Sequence, residues 1–450
     1  MIINQKILEN GITPAILEKL IQRHEMRNRK YGMLREYYRG KQNILSRAKG
    51  DSVANNKIVA NHAKYITQMS VAYFMGGPVT YSVSENYDIE DIKNVYFEQD
   101  IEAMDSRLAK EASICGKAIE MVYANGEAMP RSCLLPVESA FVVYDDTVEH
   151  HKLLGVHYYH EICLDGTPGD YVALCADENI IRKFRGGKSL TGFRLKEEIP
   201  HYFGGVPFVE FLNNEEEQGD YEQEISLIDA YNTLMSDRLN DKEQFVDSFL
   251  LLLGIDVTSD QAKELKKEKI LCGEIGGQAE YLNKVLNEAD TEVLRAAIKE
   301  DIHKLSMVPD LSDEEFAGNL SGIALKYKLL GFEQSMRNKE ILFRKGLRER
   351  MGLYMNFLHI KRNTPIVPLH RIDVEFHRNL PANELEIAQM VSTLAGQVSD
   401  ETLLARIPFI TDAKEEKEIL LKEQEQKQRV MLSRMGNYDE PIKTGDAGEE

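Results

Sequence analysis

Between Gly322 and Lys361 the chain runs for 40 residues without a proline. Apolar side chains recur there at Leu325, Leu329, Phe332, Met336, Phe343, Leu347, Met351, Tyr354 and Leu358. Steps of three, four and seven put them on one stripe of a helix. At 1.5 Å per residue that helix is about 60 Å long, more than a compact domain needs to cross its own core. The fold must therefore be organised around it as a spine. The preceding stretch, MVPDLSDEEFAG at 307–318, breaks the pattern with Pro309, the carboxylates Asp310, Asp313, Glu314 and Glu315, and Gly318. This is the composition of an exposed loop. Before it, residues 291–306 carry Leu294, Ile298, Ile302 and Leu305 at helical spacing.

The remaining chain alternates helical and strand texture. Thr13-Pro14 signals the start of a helix reaching residue 38, and Asn61 caps a helix carrying Ile66, Met69, Tyr73 and Phe74. Gly76, Gly77 and Pro78 end that second helix before a short strand. Residues 89–116 read as one amphipathic helix, 119–123 as a strand and Asn125-Gly126 as a hairpin turn. From Cys133 to Phe211 come short strands separated by Gly, Pro, Asp and Asn turns, closed by the acidic stretch NNEEEQGDYEQE at 213–224, which reads as a linker. Residues 225–253 return to helix with a polar middle, SDRLNDKEQ. Residues 254–289 form a small insert, with a strand near Tyr281. Beyond the spine, IDVEF at 372–376 is a strand, Ser399 opens a helix, and 414–434 is a charged helix. The end, 436–450, has a disordered composition. The fold class expected is α+β, mainly α.

Net charge is −19, which argues against a broad phosphate-gripping surface, because Lys and Arg supply nonspecific nucleic-acid affinity. The spine is the exception: ten Lys/Arg against Glu333, Glu340 and Glu349 over 322–362 give a local balance of +7. Such a face is either solvated or matched by acidic neighbours. There is no charged-then-apolar N-terminal signal, and the most apolar run, 249–253, is too short to span a bilayer. A cytoplasmic, non-membrane protein is expected. Five scattered cysteines without a CxxC pair indicate neither a disulfide framework nor a zinc ribbon.

Enzyme motifs fail on inspection. RGGKSLTG at 185–192 has the Gly-Lys-Ser of a phosphate loop, but Arg182 stands where the first glycine is required, so a hairpin turn is expected. His150, His151, His157, His160 and Cys163 are the only ligand-rich group. In a strand, His157 and His160 point to opposite faces, so no metal site is assigned. Asp145-Asp146 reads as a solvated acidic pair. No cofactor motif is present and no catalytic residue is assigned.

Five stretches, in order, carry a resemblance. They are REYYRGKQNI at 35–44, NNKIVANHAKYI with the following FMGGPVTY, the acidic loop leading into NLSGIALKYKLLGFE, DVEFHRNLPANELE, and VSDETLLARIPFI. Over roughly residues 30–430 the chain resembles the portal proteins of tailed double-stranded-DNA bacteriophages, in the branch common among siphophages of Gram-positive hosts.

The resemblance implies a portal-like fold of wing, stem, clip and crown around the spine helix. Residues 1–214 would form the wing, 225–253 and 291–306 the stem helices and 254–289 the clip. The tunnel loop would be 307–319, the long wing helix 320–359 and a wing strand region 360–383, with crown helices at 384–434 before a tail at 435–450. It implies a ring, usually a dodecamer, at one capsid vertex of the virion, assembled in the host cytoplasm. Expected partners are DNA passing through the channel, the terminase, a head-completion or connector protein, and the scaffolding and major capsid proteins. On this reading Asp310, Asp313, Glu314, Glu315 and Asn319 face DNA. Asp237, Arg238, Asn240, Asp241 and Lys242 face the wet channel, and Lys263, Lys266, Lys267 and Lys269 dock a partner. The rival readings are a cytoplasmic nucleotide-binding enzyme and a helical assembly protein without a channel.

Overall fold

The computed structural model describes residues 1–9, 11–50, 54–84, 87–246, 249–253, 278–282, 288–311, 327–378, 384–407, 410 and 413–435. The helix α1 (Pro14–Tyr38) starts where Thr13 Oγ1 accepts the Ile16 amide at 3.4 Å, with proline at its first turn. Asn61 likewise caps α2 (His62–Phe74), accepting the Lys64 amide at 3.1 Å. The expected single helix over 89–116 is two, α3 (Glu90–Glu98) and α4 (Ile101–Cys115), because Asp100 takes a left-handed φ of 55° between them. Gly116 ends α4 at φ 85°, and a Cβ there would sit 2.1 Å from the Glu217 carbonyl oxygen, so only glycine fits.

Two antiparallel sheets follow. Strands β2 (Lys117–Ala124), β3 (Pro130–Leu135) and β9 (Phe208–Leu212) form a three-stranded sheet in the order β3-β2-β9. Strands β4 (Ala140–Tyr144), β5 (Lys152–Ile162), β6 (Pro168–Ala176), β7 (Ile180–Arg185) and β8 (Arg194–Pro200) form a five-stranded meander. The stretch 185–192 joins β7 to β8, the hairpin position expected, and no helix follows it. One face of the meander packs on α1: Leu17, Leu20 and Ile21 meet Phe141, Leu154, Val156 and Phe184 in a separate core cluster.

The helices α5 (Ile225–Val246) and α6 (Glu288–Ser306) pack together, followed by the spine α7 (Leu330–Arg362). The helix expected over 225–253 ends at Val246; 249–253 is instead strand β10 (Phe249–Leu253), paired antiparallel with β11 (Gln278–Leu282). A short apolar run is compatible with either period, and cross-strand pairing decides it. Strand β1 (Thr80–Val83) pairs antiparallel with β12 (Ile372–Glu375), bringing two segments distant in sequence side by side. The helices α8 (Glu384–Leu394), α9 (Asp400–Leu404) and α10 (Ala413–Met435) follow.

The spine has 33 residues, about 50 Å of helix. Its expected stripe is the buried one: Phe332, Met336, Phe343, Leu347, Met351, Tyr354 and Leu358 enter the main core with α2, α3, α4 and the three-stranded sheet. Gly346 lies on the same stripe because the Phe211 ring would stand 2.7 Å from a Cβ there. Three residues of the basic side are matched within the chain. Lys339 Nζ meets Asp220 Oδ2 at 2.5 Å, Arg344 pairs with Glu340, and Arg350 is fully buried between Asp105 and Glu120. The stretch 213–224 is packed, not a linker. Asn213, Tyr221 and Glu224 are buried, and Asp220 also receives Ser113 Oγ at 2.6 Å and Asn213 Nδ2 at 2.8 Å. Its polar side chains satisfy one another, so its composition conceals burial. Cys115 and Cys175 are buried, whereas Cys163 is exposed.

A two-faced helix pair and a loop anchor

The polar middle of α5 serves two faces. On one, Asn232, Ser236 and Asn240 are four residues apart and buried. Asn232 Oδ1 accepts the Ala60 amide at 2.8 Å, Ser236 Oγ the Ile58 amide at 2.9 Å, and Asn240 Oδ1 the Asn56 amide at 2.7 Å. Four helical residues rise about 6 Å, close to the roughly 6.6 Å that two extended residues span. The helix therefore reads every second amide of an extended segment. Asn240 is thus a correction to the channel-facing expectation: it holds residue 56 of its own chain. Asp237 joins the same side, its Oδ1 2.8 Å from Arg47 Nη1 and 3.0 Å from Lys49 Nζ. These cations hold its carboxyl below the ordinary aspartate range against partial burial.

The other face meets α6 through charge. Arg238 reaches Glu292 at 2.9 Å and Glu288 at 3.6 Å, and Lys242 reaches Glu288 at 3.0 Å. Arg295 holds Glu292 at 2.5 Å and donates to the Tyr231 hydroxyl at 3.2 Å. The hydrogen bonds from Arg295 and Arg238 bring Glu292 down to about 2. Arg238 and Lys242 therefore knit the helix pair. Asp241 is half-buried.

Where α6 ends, Met307 adopts φ 57° and turns the chain. Residues 307–311 are then gripped from two helices. From α2, the Tyr65 hydroxyl donates to the Pro309 carbonyl at 3.0 Å and accepts the Leu311 amide at 3.2 Å. From α6, Lys299 Nζ lies 2.5 Å from Asp310 Oδ2, and His303 Nδ1 donates to the Val308 carbonyl at 3.1 Å while its Nε2 faces Asp310 at 4.0 Å. The His62 ring stands edge-on to both Tyr231 and His303. Burial, reinforced by His303 and Lys299, pushes His62 down to about 4, so it is neutral at pH 7. Among the predicted loop residues only Asp310 is described; Asp313, Glu314, Glu315 and Asn319 lie outside the described residues, as do Lys263, Lys266, Lys267 and Lys269.

The histidines of the ligand-rich group make other contacts. His160 Nδ1 meets the Gly169 carbonyl at 3.1 Å, His157 packs on Tyr159, and His151 meets Glu149 at 2.8 Å. Asp145 is buried rather than solvated, with Oδ1 accepting from Thr147 and from the His151 amide. No cluster of ligand side chains suited to a metal occurs among the described residues, and no described helix is long and apolar enough to cross a membrane.

The family of phage portal proteins, SPP1 Gp6-like, matches residues 17–430. The chain belongs to this family. It is 25% identical over 424 residues to a portal protein of Clostridium phage phiCD119, covering 86% of this chain and 91% of that protein. It is 24% identical over 432 residues to the portal protein of Bacillus phage SPP1, covering 89% of this chain and 84% of that one. A chain in the neck of an empty GTA particle overlays with a TM-score of 0.42 at 10% identity, over 76% of this chain and 89% of that chain.

Within this portal subunit, sequence reasoning missed Asn232, Ser236 and Tyr65. A signal was present for the first two: polar residues repeating every four positions in a helix with apolar flanks mark a buried polar stripe. Tyr65 carried none, because its partners lie more than 240 residues away.

Proposed function

We propose that the chain is the subunit of a ring-shaped channel at one capsid vertex, through which double-stranded DNA is packaged and later ejected. Membership of the portal family over residues 17–430 carries this reading. The paired helices α5 and α6 form the stem, with 254–289 between them as the clip that docks terminase during packaging and a head-completion or connector protein afterwards. Residues 307–319 form the tunnel loop, whose carboxylates Asp310, Asp313, Glu314 and Glu315 repel phosphate and let DNA slide. The wing comprises 1–214 and the spine, the crown 384–434, and scaffolding and major capsid proteins contact the ring, usually a dodecamer. The protein acts as an assembly component, not an enzyme.

Negative-stain microscopy of the purified full chain tests the ring. Closed rings with a central hole are expected, whereas filaments or monomers at every concentration refute it. Replacing the four loop carboxylates with Lys tests the loop. Slower or stalled packaging by otherwise normal rings is expected, and unchanged packaging and retention refute the DNA-facing role.

A further inference from the structure

Helices α6 and α7 each carry an exposed stripe with a charge set between two apolar side chains. On α6 the stripe is Leu294, Asp301 and Leu305, separated by steps of seven and four. At 100° per residue those steps keep the later two within about 20° of the line through Leu294. On the spine, Leu330, Arg337 and Ile341 repeat the same two steps, each lying 36 residues after its counterpart. Leu294, Leu305, Leu330 and Ile341 are 51%, 61%, 50% and 60% exposed, so the two stripes do not cover each other within one copy. Asp301 and Arg337 are exposed as well and form no ion pair among the described residues. The flanking charges preserve the contrast between the stripes. Exposed Glu300 and Lys304 balance each other beside Asp301, whereas exposed Lys345 adds a second cation one turn beyond Ile341. Glu333 and Glu340, which border the spine stripe, are already held by Arg378 at 3.2 and 2.9 Å.

We propose that the α6 stripe of one copy packs along the spine stripe of the next, with the helices parallel and Leu294 against Leu330, Asp301 against Arg337 and Leu305 against Ile341. This contact rests on the ring proposed above and supplies two unlike faces for it. Each copy uses one face and offers the other, a head-to-tail contact that repeats until its rotation closes. The shared order of the residues selects the parallel arrangement. Antiparallel helices with the same end residues matched would set Asp301 opposite Gln334 and Arg337 opposite Ile298, leaving both charges unpaired. Parallel helices about 8–10 Å apart instead bury four apolar side chains and join the two free charges. A second copy is favoured over another partner because one chain carries both halves, equal in spacing and opposite in charge. A nucleic acid would be repelled by Asp301.

The test uses the full-length protein, with Cys163→Ser to remove an exposed native thiol. Leu305→Cys and Ile341→Cys in one chain should cross-link on mild oxidation into a ladder of multimers, since a disulfide forms only where Cα atoms come within about 7 Å. Either cysteine variant alone should give no ladder. Leu294→Cys with Ile341→Cys should give none either, because the parallel register holds those positions about 16 Å apart along the axis. Asp301→Arg, or Arg337→Asp, turns an attraction into a repulsion and should raise the concentration of half-assembly roughly tenfold in sedimentation velocity. Both reversals in one chain should bring it back to within about threefold of the parent. Circular dichroism matching the parent keeps a folding defect from being read as lost assembly. A parent chain that stays monomeric at every concentration refutes the ring and this contact together. Closed rings without the Leu305→Cys/Ile341→Cys ladder, with single reversals that leave assembly unchanged, or with no recovery in the double reversal, refute the contact and leave the ring standing.

Discussion

Replacing Arg350 with Met tests the buried charge at the heart of the spine. Arg350 has no solvent exposure; its Nη2 lies 2.5 Å from Asp105 Oδ1 and its Nη1 3.2 Å from Glu120 Oε1, with both carboxylates nearly inaccessible. Its guanidinium also stands 5.5 Å from the Tyr96 ring centroid and 5.8 Å from that of Phe211. At an effective dielectric of 20, two unit charges 4 Å apart attract by about 4 kcal/mol, and desolvation of three ions offsets most of the two attractions. Removing the cation alone leaves two carboxylates in a dry core, a class of change that costs about 3–5 kcal/mol. Burial already raises Asp105 to about 6 despite the arginine. A carboxyl whose folded value lies above its unfolded 3.8 penalises the fold increasingly as pH rises through that interval, and fully above about 6. Without Arg350 the penalty grows and extends to higher pH. The deficit of Arg350→Met in urea unfolding should therefore be larger at pH 8 than at pH 5, where Asp105 can take up a proton. Adding Asp105→Asn and Glu120→Gln should recover much of the loss, because an uncharged core replaces an unbalanced one. A deficit below about 1 kcal/mol at pH 8, or one equal at both pH values, would refute the reasoning.

Three further perturbations follow from the same kind of geometry. Burial, with a contribution from Asp220, raises Glu224 to about 7, so its charged form opposes folding above neutrality. Glu224→Gln should raise the melting temperature at pH 8 and change it less at pH 4.5. Gly346→Ala drives a methyl toward the Phe211 ring and should cost roughly 1–3 kcal/mol, read as a lower urea midpoint. Asn232→Ala and Ser236→Ala each leave a partly buried amide of the 56–60 segment without its acceptor, about 1 kcal/mol apiece, and proteolysis should then begin within that segment.

How far the sequence reveals this fold depends on how local the signal is. Thr13, Asn61 and Ser399 mark helix starts because a cap is chemistry within three residues. The spine's apolar stripe is legible because its period is internal to the helix. Arg350 and Lys339 are not, since on a helix they look like part of its basic side. Their partners, Asp105, Glu120 and Asp220, lie from 119 to 245 residues away. The polar middle of α5 was legible as polar but misassigned for Asn240. A stripe satisfied by backbone amides and one facing water have the same composition.

The anchor and the spine are not independent, because one helix holds both. Near its start, α2 presents Tyr65 to Pro309 and Leu311; two turns later Tyr73 donates to Glu333 Oε2 at 2.5 Å and its ring packs 4.7 Å from that of Phe332, in the first turn of α7. Eight helical residues separate the two tyrosines, about 12 Å. The chain is thus held by α2 at residue 311 and again at 332, so one helix anchors both of these described positions. The extended segment zipped onto α5 runs directly into that rod at His62. A push on Asp310 must therefore act on α2, and through it on both α5 and the spine. Tyr65→Phe and Tyr73→Phe each delete one hydroxyl while keeping the ring, at about 1 kcal/mol. If α2 is the shared clamp, the double variant should depart from the sum of the singles by at least about 0.5 kcal/mol, and packaging should fall further than either single change predicts while rings still form. Additive stability with additive packaging loss would mean that the two ends of the loop are held separately.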